Sequence, residues 1–359
     1  MFNVISEWYQ RHFSDPQVVI LAIVLVMSLL VVLLLGDILA PVLVAVLLAY
    51  LLEGVVSAME RISVPRSLGS AIVLLGFFIF FLILVFGLLP LLWKQVVELI
   101  DIFPSMIAQG KEALSRLPRA YPNIISNEQI DELINTIRSG LGSLGQALLS
   151  FSIANAVNIF AFALYLVLVP LMVYFALKDK HLLVQWGSTF APRQRELIVS
   201  VWREVDSKIA KYIRGKFIEI MIIWITSFIT FGLMGLNFAL LLSFLVGISV
   251  IIPFVGAVAV TIPVALIAFF QWGLDPQFGY LMLAYLIIQI LDGNLLVPLL
   301  FSEVVNLHPV AIVVAVLFFG GLWGVWGVFF AIPLATLVQA VLNAWPRQTM
   351  QGSPPSVES

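Results

Sequence analysis

The sequence predicts an all-α integral membrane protein with about eight membrane-inserted elements. Of the 359 residues, 62% are hydrophobic and only 11% are charged, whereas a soluble domain has roughly 25% charged residues. The apolar residues form long runs without the period-2 alternation of a membrane β-barrel. Because backbone groups in hydrocarbon must be satisfied within their own segment, these runs are expected to be helices.

The charge balance and the missing residue types exclude several functions. A net charge of −2 argues against nucleic acid as a partner, since binding to phosphates needs clustered Lys and Arg. The chain has no cysteine, which excludes thiolate metal sites, disulfides and cysteine nucleophiles. No HExxH, GxSxG or Walker sequence occurs, so we expect no enzyme, no metal and no cofactor, and any transport would be secondary or facilitated.

Residues 1–93 are predicted to hold the first three spans, with a turn at Asp37 and Pro41 between the first two. The polar segment 94–150 predicts a helical cap outside the membrane, on the periplasmic side. That cap could equally be a solvated surface without chemistry. Residues 151–177 form the predicted fourth span.

Residues 178–216 contain nine of the chain's eighteen Lys and Arg residues, which places this segment in the cytoplasm by the positive-inside rule. Pro192 favours the first turn of a helix, and apolar residues recur after it at helical spacing. We therefore predict a basic amphipathic helix lying on the anionic inner leaflet. Both termini are expected in the cytoplasm, and the tail 346–359 is expected to be disordered.

The chain from residue 220 to residue 274 carries no charge over 55 residues. As one helix it would reach roughly 80 Å, against a hydrocarbon core of about 30 Å. It must therefore fold back, and breaks are expected near Gly235 and at residues 253–256. The pieces 238–252 and 257–270 are short for spanning helices and favour a re-entrant hairpin.

A second span and a second broken segment follow, so residues 217–270 and 278–345 are predicted to be two units, each a span plus a re-entrant hairpin. The units would enter the membrane from opposite sides, which is the inverted repeat of many secondary transporters. If every piece crosses fully instead, ten crossings result and the C-terminus stays on the same side. The predicted hinges or half-helix breaks are Gly320, Gly321, Gly324, Gly327, Pro263 and Pro333.

Asp292 is the strongest candidate for a functional residue, because a carboxylate inside a span costs about 2.5 to 3.5 kcal/mol on insertion scales. Gln289 lies three residues earlier on the same helix face, and Gly293 and Pro298 can open the backbone and free carbonyl groups. Together with Asn294, these groups suit a cation, a proton or a polyol-like solute. Alternatively, Asp292 satisfies the broken backbone of a neighbouring helix.

Three further residues are assigned to the same path. Pro253 and Gly256 would place half-helix ends near the middle of the membrane, where their partial charges can meet a solute. Glu219 either lines the path or, as an interfacial residue, pairs with Lys216 or its neighbours.

Several motifs in the second half of the chain are those of a known family. They are residues 251–256 (IIPFVG) with Ile262 and Pro263, then 292–298, 307–309, 324–327 and 332–335. With these motifs the sequence resembles the autoinducer-2 exporter family, and within it the PerM-like permeases of bacteria. The resemblance covers nearly the whole chain and is weakest in the first two spans.

The resemblance implies a transporter of the bacterial inner membrane that assembles as a homo-oligomer, with five subunits as the expected number. Some relatives are linked to export of the quorum-sensing signal, and others to exchange of Na⁺ or Li⁺ for protons. Many relatives carry Glu where this chain has Asp292, so the resemblance leaves the substrate open.

Two functions are compatible with the sequence. The first is a secondary transporter of a small solute or cation, with alternating access through the two C-terminal units. The second is a membrane scaffold that recruits partners through the cap 94–150 and the basic helix 192–216.

Overall fold

A computed structural model describes residues 16–114, 159–189, 196–302 and 307–344, together with the helical positions Glu128, Glu132, Asn135, Thr136 and Ser139. These described residues form helices and no strand. Six of the helical segments are long and apolar enough to cross a membrane, and two shorter apolar helices accompany them. The prediction of an all-α membrane protein is confirmed.

The helices follow one another in a fixed order along the chain. They are α1 (Pro16–Arg61), α2 (Arg66–Ile83), α3 (Leu89–Leu114), α4 (Ile159–Lys178), α5 (Lys180–Thr189), α6 (Glu196–Leu233), α7 (Ala239–Ser249), α8 (Val255–Trp272), α9 (Pro276–Leu291), α10 (Val297–Phe301) and α11 (Pro309–Ala344). A π-helical turn at Leu84–Leu88 joins α2 to α3, and another at Asp292–Leu296 joins α9 to α10.

The chain divides into two compact units, which we describe separately. The first unit consists of Met1–Leu39, His181–Tyr212 and Glu303–Ser359, and the second consists of Ala40–Lys180 and Ile213–Ser302. In the second unit, one apolar cluster joins α1, α2 and α4. A larger cluster joins α6 to α9, with Ile223, Phe231, Leu242, Val246, Val264, Ile267, Leu281 and Tyr285 among its buried residues.

Two of the early helices are longer than the sequence predicted. α1 continues through Asp37 and Pro41 for 46 residues, so the predicted turn between the first two spans is wrong. A proline inside a helix removes one hydrogen bond and bends the helix, which membrane helices tolerate when neighbouring groups satisfy the freed carbonyl. The third span likewise continues beyond Lys94 to Leu114 as α3, so the first part of the predicted cap extends that helix.

Several predicted features lie outside the described residues. These are the rest of the cap apart from the five helical positions named above, residues 151–158 of the fourth span, Pro192 and the tail 346–359.

The sequence predicts a separate basic amphipathic helix, but the part of the chain that the structure describes has none. α6 is one helix of 38 residues that continues from the basic segment into the apolar span. In the first unit, Val201 and Val205 are buried against Leu337 and Ala340 of α11. These two valines therefore pack against protein, whereas Trp202 between them is exposed. Helical periodicity shows that one face is apolar, but it does not say whether protein or lipid covers that face.

α7 and α8 form a helical hairpin in the second unit. The turn before α7 is held by Gln271, whose side chain accepts a hydrogen bond from Asn237 N–H and donates one to the Gly235 carbonyl. At the tip, residues 250–254, the backbone packs so closely that a β-carbon at Gly256 would overlap the Ser249 carbonyl oxygen. The breaks expected near Gly235 and at residues 253–256 are both present.

α11 also reverses direction, at Gly324, whose φ of 58° and ψ of −137° are not helical. A β-carbon at Gly327 would overlap the carbonyl oxygen of Phe319. Residues eight apart lie about 12 Å from each other in a straight helix, so the arms 309–323 and 325–344 must fold back on one another.

The two hairpins share a construction that sequence had only suggested. Each pairs a short arm, of 11 residues in α7 and about 15 residues in the arm 309–323, with a longer one. The short arms reach roughly 16 and 22 Å, less than the hydrocarbon thickness of about 30 Å. Inverted symmetry between the hairpins, and their re-entry into the membrane, stay predictions.

The other predicted hinge residues contribute less to the breaks. A β-carbon at Gly321 would meet nothing within 4 Å, whereas one at Gly320 would lie 2.8 Å from Val328 Cγ2. The helices continue through Pro263 and Pro333, so neither proline ends a helix. A role for these prolines in motion stays a prediction.

An ion network joins α1, α2 and α4 in the second unit. The Arg66 guanidinium lies 2.8 Å from Glu53 Oε2 and 2.9 Å from Glu60 Oε2, and it also donates to the Leu177 carbonyl at 2.8 Å. Lys180 Nζ lies 3.3 Å from Glu53 Oε1. Two cationic groups face two carboxylates, so this network is balanced in charge, and we assign it to packing.

Gly256→Ala and Gly327→Ala should each destabilise the protein by about 1–3 kcal/mol, because the added methyl group forces the hairpin backbone apart. Thermal unfolding of the purified protein in detergent measures the loss. The matched control is Gly279→Ala in α9, where a β-carbon meets nothing within 4 Å, and which should be neutral or gain up to about 1 kcal/mol. Equal stability of all three variants would contradict the hairpin geometry.

Arg66→Ala should lower the free energy of unfolding by about 2–4 kcal/mol, since it leaves two half-buried carboxylates with less compensation. Lys94→Ala is the control, because Lys94 pairs with Glu98 at 3.8 Å on an exposed helix face and such pairs contribute at most about 1 kcal/mol. Denaturation of both variants under identical conditions tests the difference, and similar losses would show that the network does not stabilise the unit.

Candidate functional site

Two predicted residues, Glu219 and Asp292, belong to a charged cluster in the second unit. Lys216 and Glu219, one turn apart on α6, form an ion pair with 2.5 Å between Nζ and Oε2, and their side chains are only 5% and 2% exposed. Asp292, the first residue of the π turn after α9, interacts electrostatically with both of them. The predicted pairing of Glu219 with Lys216 is present, but it is buried rather than interfacial.

The Lys216 ammonium contacts three different elements. Besides Glu219 on its own helix, it donates a hydrogen bond of 3.0 Å to the Val250 carbonyl. Val250 ends α7, where the helix dipole concentrates partial negative charge. Nζ also lies 5.1 Å from the ring centroid of Phe301 in α10, a distance at which a cation is attracted to the ring face.

Close packing between α6 and α10 encloses this ammonium group. A β-carbon at Gly215 would lie 2.8 Å from Phe301 Cε1, so only glycine lets the ring approach α6 this closely. Gly215 therefore allows Phe301 to cover the neighbouring Lys216. Water is kept from the ion pair, and its electrostatic interactions are strengthened.

The cluster has more negative than positive groups. Among the described residues, the charged groups that act on Glu219 are Lys216 and Asp292, so two carboxylates face one ammonium. Asp292 is half-buried, and its Oδ1 has no hydrogen-bond partner in the part of the chain that the structure describes. An uncompensated carboxylate among apolar helices is costly. The cluster can therefore accept one further positive charge.

The backbone beside Asp292 is opened by the π turn. Val297 N–H donates to the Asp292 carbonyl, one residue further than in an α-helix, and Asn294 Nδ2 donates to the Ile290 carbonyl at 2.9 Å. Pro298 has no N–H, so the Asn294 carbonyl lacks the donor that this position supplies in a regular helix. Such turns are frequent at functional sites.

The opened backbone that the sequence predicted at Gly293 and Pro298 is therefore present. Both residues are exposed, as is Asn294. The Asn294 amide is bonded to its own helix, and its place in a path stays a prediction. Pro253 lies in the hairpin tip, and Gly256 follows it closely. Lys216 donates a hydrogen bond to the Val250 carbonyl of the same tip.

Polar side chains continue from Asp292 along one face of α9. Gln289 is half-buried, and its Nε2 has no hydrogen-bond partner among the described residues. The Tyr285 hydroxyl oxygen lies 3.3 Å from Thr261 Oγ1 of α8. The spacing of residues 285, 289 and 292 follows one helix face.

Sequence reasoning missed one member of this site, Tyr285, and placed Lys216 at the membrane surface. Tyr285 could have been recognised from its helical spacing to Gln289 and Asp292. The sequence places Lys216 in a cytoplasmic basic helix, and only the fold shows that it is buried.

His308 accepts a hydrogen bond from Val310 N–H at 3.3 Å, so it caps the start of α11. No group of three or more His, Asp or Glu side chains that could hold a metal occurs in the described ranges.

The six helical segments that are long and apolar enough to cross a membrane define a polytopic α-helical membrane protein. The family follows from comparison with known sequences. The chain belongs to the AI-2E family of transporters, because the sequence model described as "AI-2E family transporter" matches residues 21–347.

Known relatives are named as transport proteins. The chain is 45% identical over 346 residues to the "Putative permease PerM" of Escherichia coli (strain K12), covering 96% of this chain and 98% of that protein. It is 24% identical over 294 residues to the "Putative transport protein YueF" of Bacillus subtilis (strain 168), covering 80% and 78%. A "Putative transport protein" of Thermotoga maritima is 34% identical over 135 residues, covering 37% and 39%. The resemblance inferred from the motifs is confirmed.

A double-mutant cycle should reveal strong coupling between Lys216 and Glu219. Lys216→Met and Glu219→Gln should each destabilise by about 3–5 kcal/mol, because each leaves a buried charge without its partner. The double variant should lose less than the sum of the two, by about 1–3 kcal/mol. Unfolding of the detergent-purified proteins measures all three.

The matched control for this cycle is the pair Lys208 and Glu204 on the same helix, with 2.6 Å between Nζ and Oε1 and Glu204 exposed. Its coupling should be at most about 1 kcal/mol. Additive losses at Lys216 and Glu219 would show that the observed pair contributes no interaction energy.

Proposed function

We propose that this protein is a secondary transporter of the bacterial inner membrane that binds its transported or coupling cation, Na⁺, Li⁺ or a proton, at Asp292 and Glu219. The observation that carries this proposal is the excess of one carboxylate in a buried cluster. The family and the relatives named as permeases or transport proteins support transport as such. The cation is inferred from the chemistry of the cluster.

The groups around Asp292 suit a small hard cation. Carboxylate and backbone carbonyl oxygens are the ligands that such ions prefer, and Asp292 Oδ1 has no partner among the described residues. A bound monovalent cation would bring the count to two positive and two negative charges. A proton on the same carboxylate removes the same excess charge, so cation and proton would compete for one site, which is the basis of an exchange reaction.

A small polar solute is the second candidate cargo. The row of Thr261, Tyr285 and Gln289 offers two hydroxyl groups and an amide beside Asp292, which could hydrogen-bond the hydroxyl groups of a polyol-like signal of the autoinducer type. In that case the carboxylates would bind the ion that drives solute export.

The competing scaffold hypothesis has less support. It needs the basic helix 192–216 as a docking surface, but the apolar residues Val201 and Val205 of that segment are buried against α11. These two valines are therefore covered by protein and not available to a partner. Cytoplasmic termini, attraction of the exposed basic residues to the inner leaflet, and a homo-oligomeric assembly stay part of the proposal.

Alternating access would use the hairpins. Each is a pair of helical arms joined by a tight glycine-containing break, and discontinuous helices of this kind carry the ion and substrate sites of many secondary transporters.

Asp292→Asn should reduce cation-driven proton flux by about tenfold or more, because the amide removes the charge that attracts the ion. The measurement uses proteoliposomes loaded with a pH-sensitive dye and diluted into NaCl, LiCl or, as the inert salt, choline chloride. Asp275→Asn is the matched control, since Asp275 is exposed before the first turn of α9 and Asn serves equally there. Asp292→Glu should keep most of the flux.

The other outcomes separate the alternatives. Normal flux in Asp292→Asn would remove this residue from the site. A wild-type protein that moves no cation, but moves a sugar-like solute in a way that depends on Asp292, would favour the second cargo. If neutralising the exposed basic residues of 192–216 abolishes the cellular phenotype while Asp292→Asn does not, the scaffold hypothesis gains support.

A further inference from the structure

We propose that Lys216 couples occupancy of the Asp292 and Glu219 carboxylates to release of the α7–α8 hairpin. This proposal rests on the proposed cation-binding function. It names the residue through which cation binding would affect the α7–α8 hairpin. Lys216 is a positioning residue in this scheme: it is not itself a ligand of the transported ion.

The ammonium group of Lys216 balances part of the negative charge of the two carboxylates. It carries one positive charge beside two carboxylates, and it has three donors and no acceptor. It forms the ion pair with Glu219 Oε2 at 2.5 Å and donates a hydrogen bond to the Val250 carbonyl at 3.0 Å. The same group therefore neutralises the acidic cluster and ties down the tip of the hairpin.

An arriving cation would weaken this tie. Once a second positive charge binds the carboxylates, it repels the ammonium and removes the excess negative charge that holds Lys216 in place. The lysine stem has four rotatable carbons, so the ammonium can swing away without movement of α6. Its hydrogen bond to the Val250 carbonyl would then be lost.

The hairpin tip is poised to respond. Phe254, four residues after Val250, has φ of 63° and ψ of −50°, a conformation that is strained for a residue with a side chain. Strain of this kind persists only while surrounding contacts enforce it. Loss of the Lys216 contact would let the tip relax.

Close packing also transmits movement between α6 and α7. A β-carbon at Gly247 would lie 2.6 Å from Trp224 Cβ and 3.2 Å from the Ile220 carbonyl oxygen. α7 thus lies directly on the backbone of α6, within two turns of Lys216. If the tip shifts, α7 therefore moves against α6, the helix that carries the ion pair.

The absence of cysteine from the chain makes the tip easy to probe. Val250→Cys introduces one thiol at a buried position, 8% accessible, within the tip, and leaves the backbone carbonyl that Lys216 binds. Its rate of modification by N-ethylmaleimide is measured on purified protein as NaCl or LiCl replaces choline chloride at constant ionic strength. The rate should rise about tenfold, as expected if the released tip goes from about one tenth of the population to nearly all of it.

The lysine is then removed in the same background. With Lys216→Met added, modification of Cys should be fast without Na⁺ and should not respond to it. Lys208→Met is the matched control: it removes the same side chain from the same helix, where Lys208 pairs with the exposed Glu204, and it should leave the Na⁺ response intact. If Lys216→Met does not fold, Lys216→Met with Glu219→Gln removes both buried charges together and should show the same constitutive labelling.

The results separate this proposal from the one on which it rests. A Na⁺ response that persists unchanged without Lys216 overturns the coupling role. Asp292-dependent cation flux in liposomes, together with labelling that never responds to Na⁺, leaves the transport proposal standing and overturns only the coupling. Absence of both flux and response overturns the two together.

Discussion

The cost of placing charge among apolar side chains is the constraint that organises this molecule. An ammonium or carboxylate group removed from water must find opposite charge and hydrogen-bond partners, or it destabilises the fold. Lys216 meets this requirement by pairing with Glu219, bonding to the Val250 carbonyl and lying against Phe301. Because these contacts belong to α6, α7 and α10, the pair determines how closely those helices approach one another.

Two charged networks in the same unit show why one is assigned to packing and the other to function. Around Arg66, two cations face two carboxylates, and each nitrogen of the guanidinium donates a hydrogen bond. Around Lys216, one cation faces two carboxylates, and Asp292 Oδ1 has no partner in the described ranges. A balanced network has no need of a further ion, whereas an unbalanced one is stabilised by binding a cation or a proton.

The two hairpins depend on close backbone contacts at their tips. Their tips require backbone contacts that only glycine permits, at Gly256 and Gly327, so the chain can turn within a few residues. In the second unit, the tip of the α7–α8 hairpin places the Val250 carbonyl beside the ion pair. The charged cluster and the hairpin tip are therefore joined by the hydrogen bond between Lys216 and the Val250 carbonyl.

The sequence by itself determined the fold class and the two breaks in the long uncharged stretch, and it singled out Asp292 as a candidate. Each of these depends on local properties: hydrophobic runs, glycine and proline at breaks, and a charge where hydrocarbon is expected. The tertiary structure alone decided that α1 and α6 continue through Pro41 and the basic segment, and that Lys216 is buried. Those outcomes depend on which surfaces meet, and contacts between residues as distant as Lys216 and Phe301 leave no periodic signal in the chain.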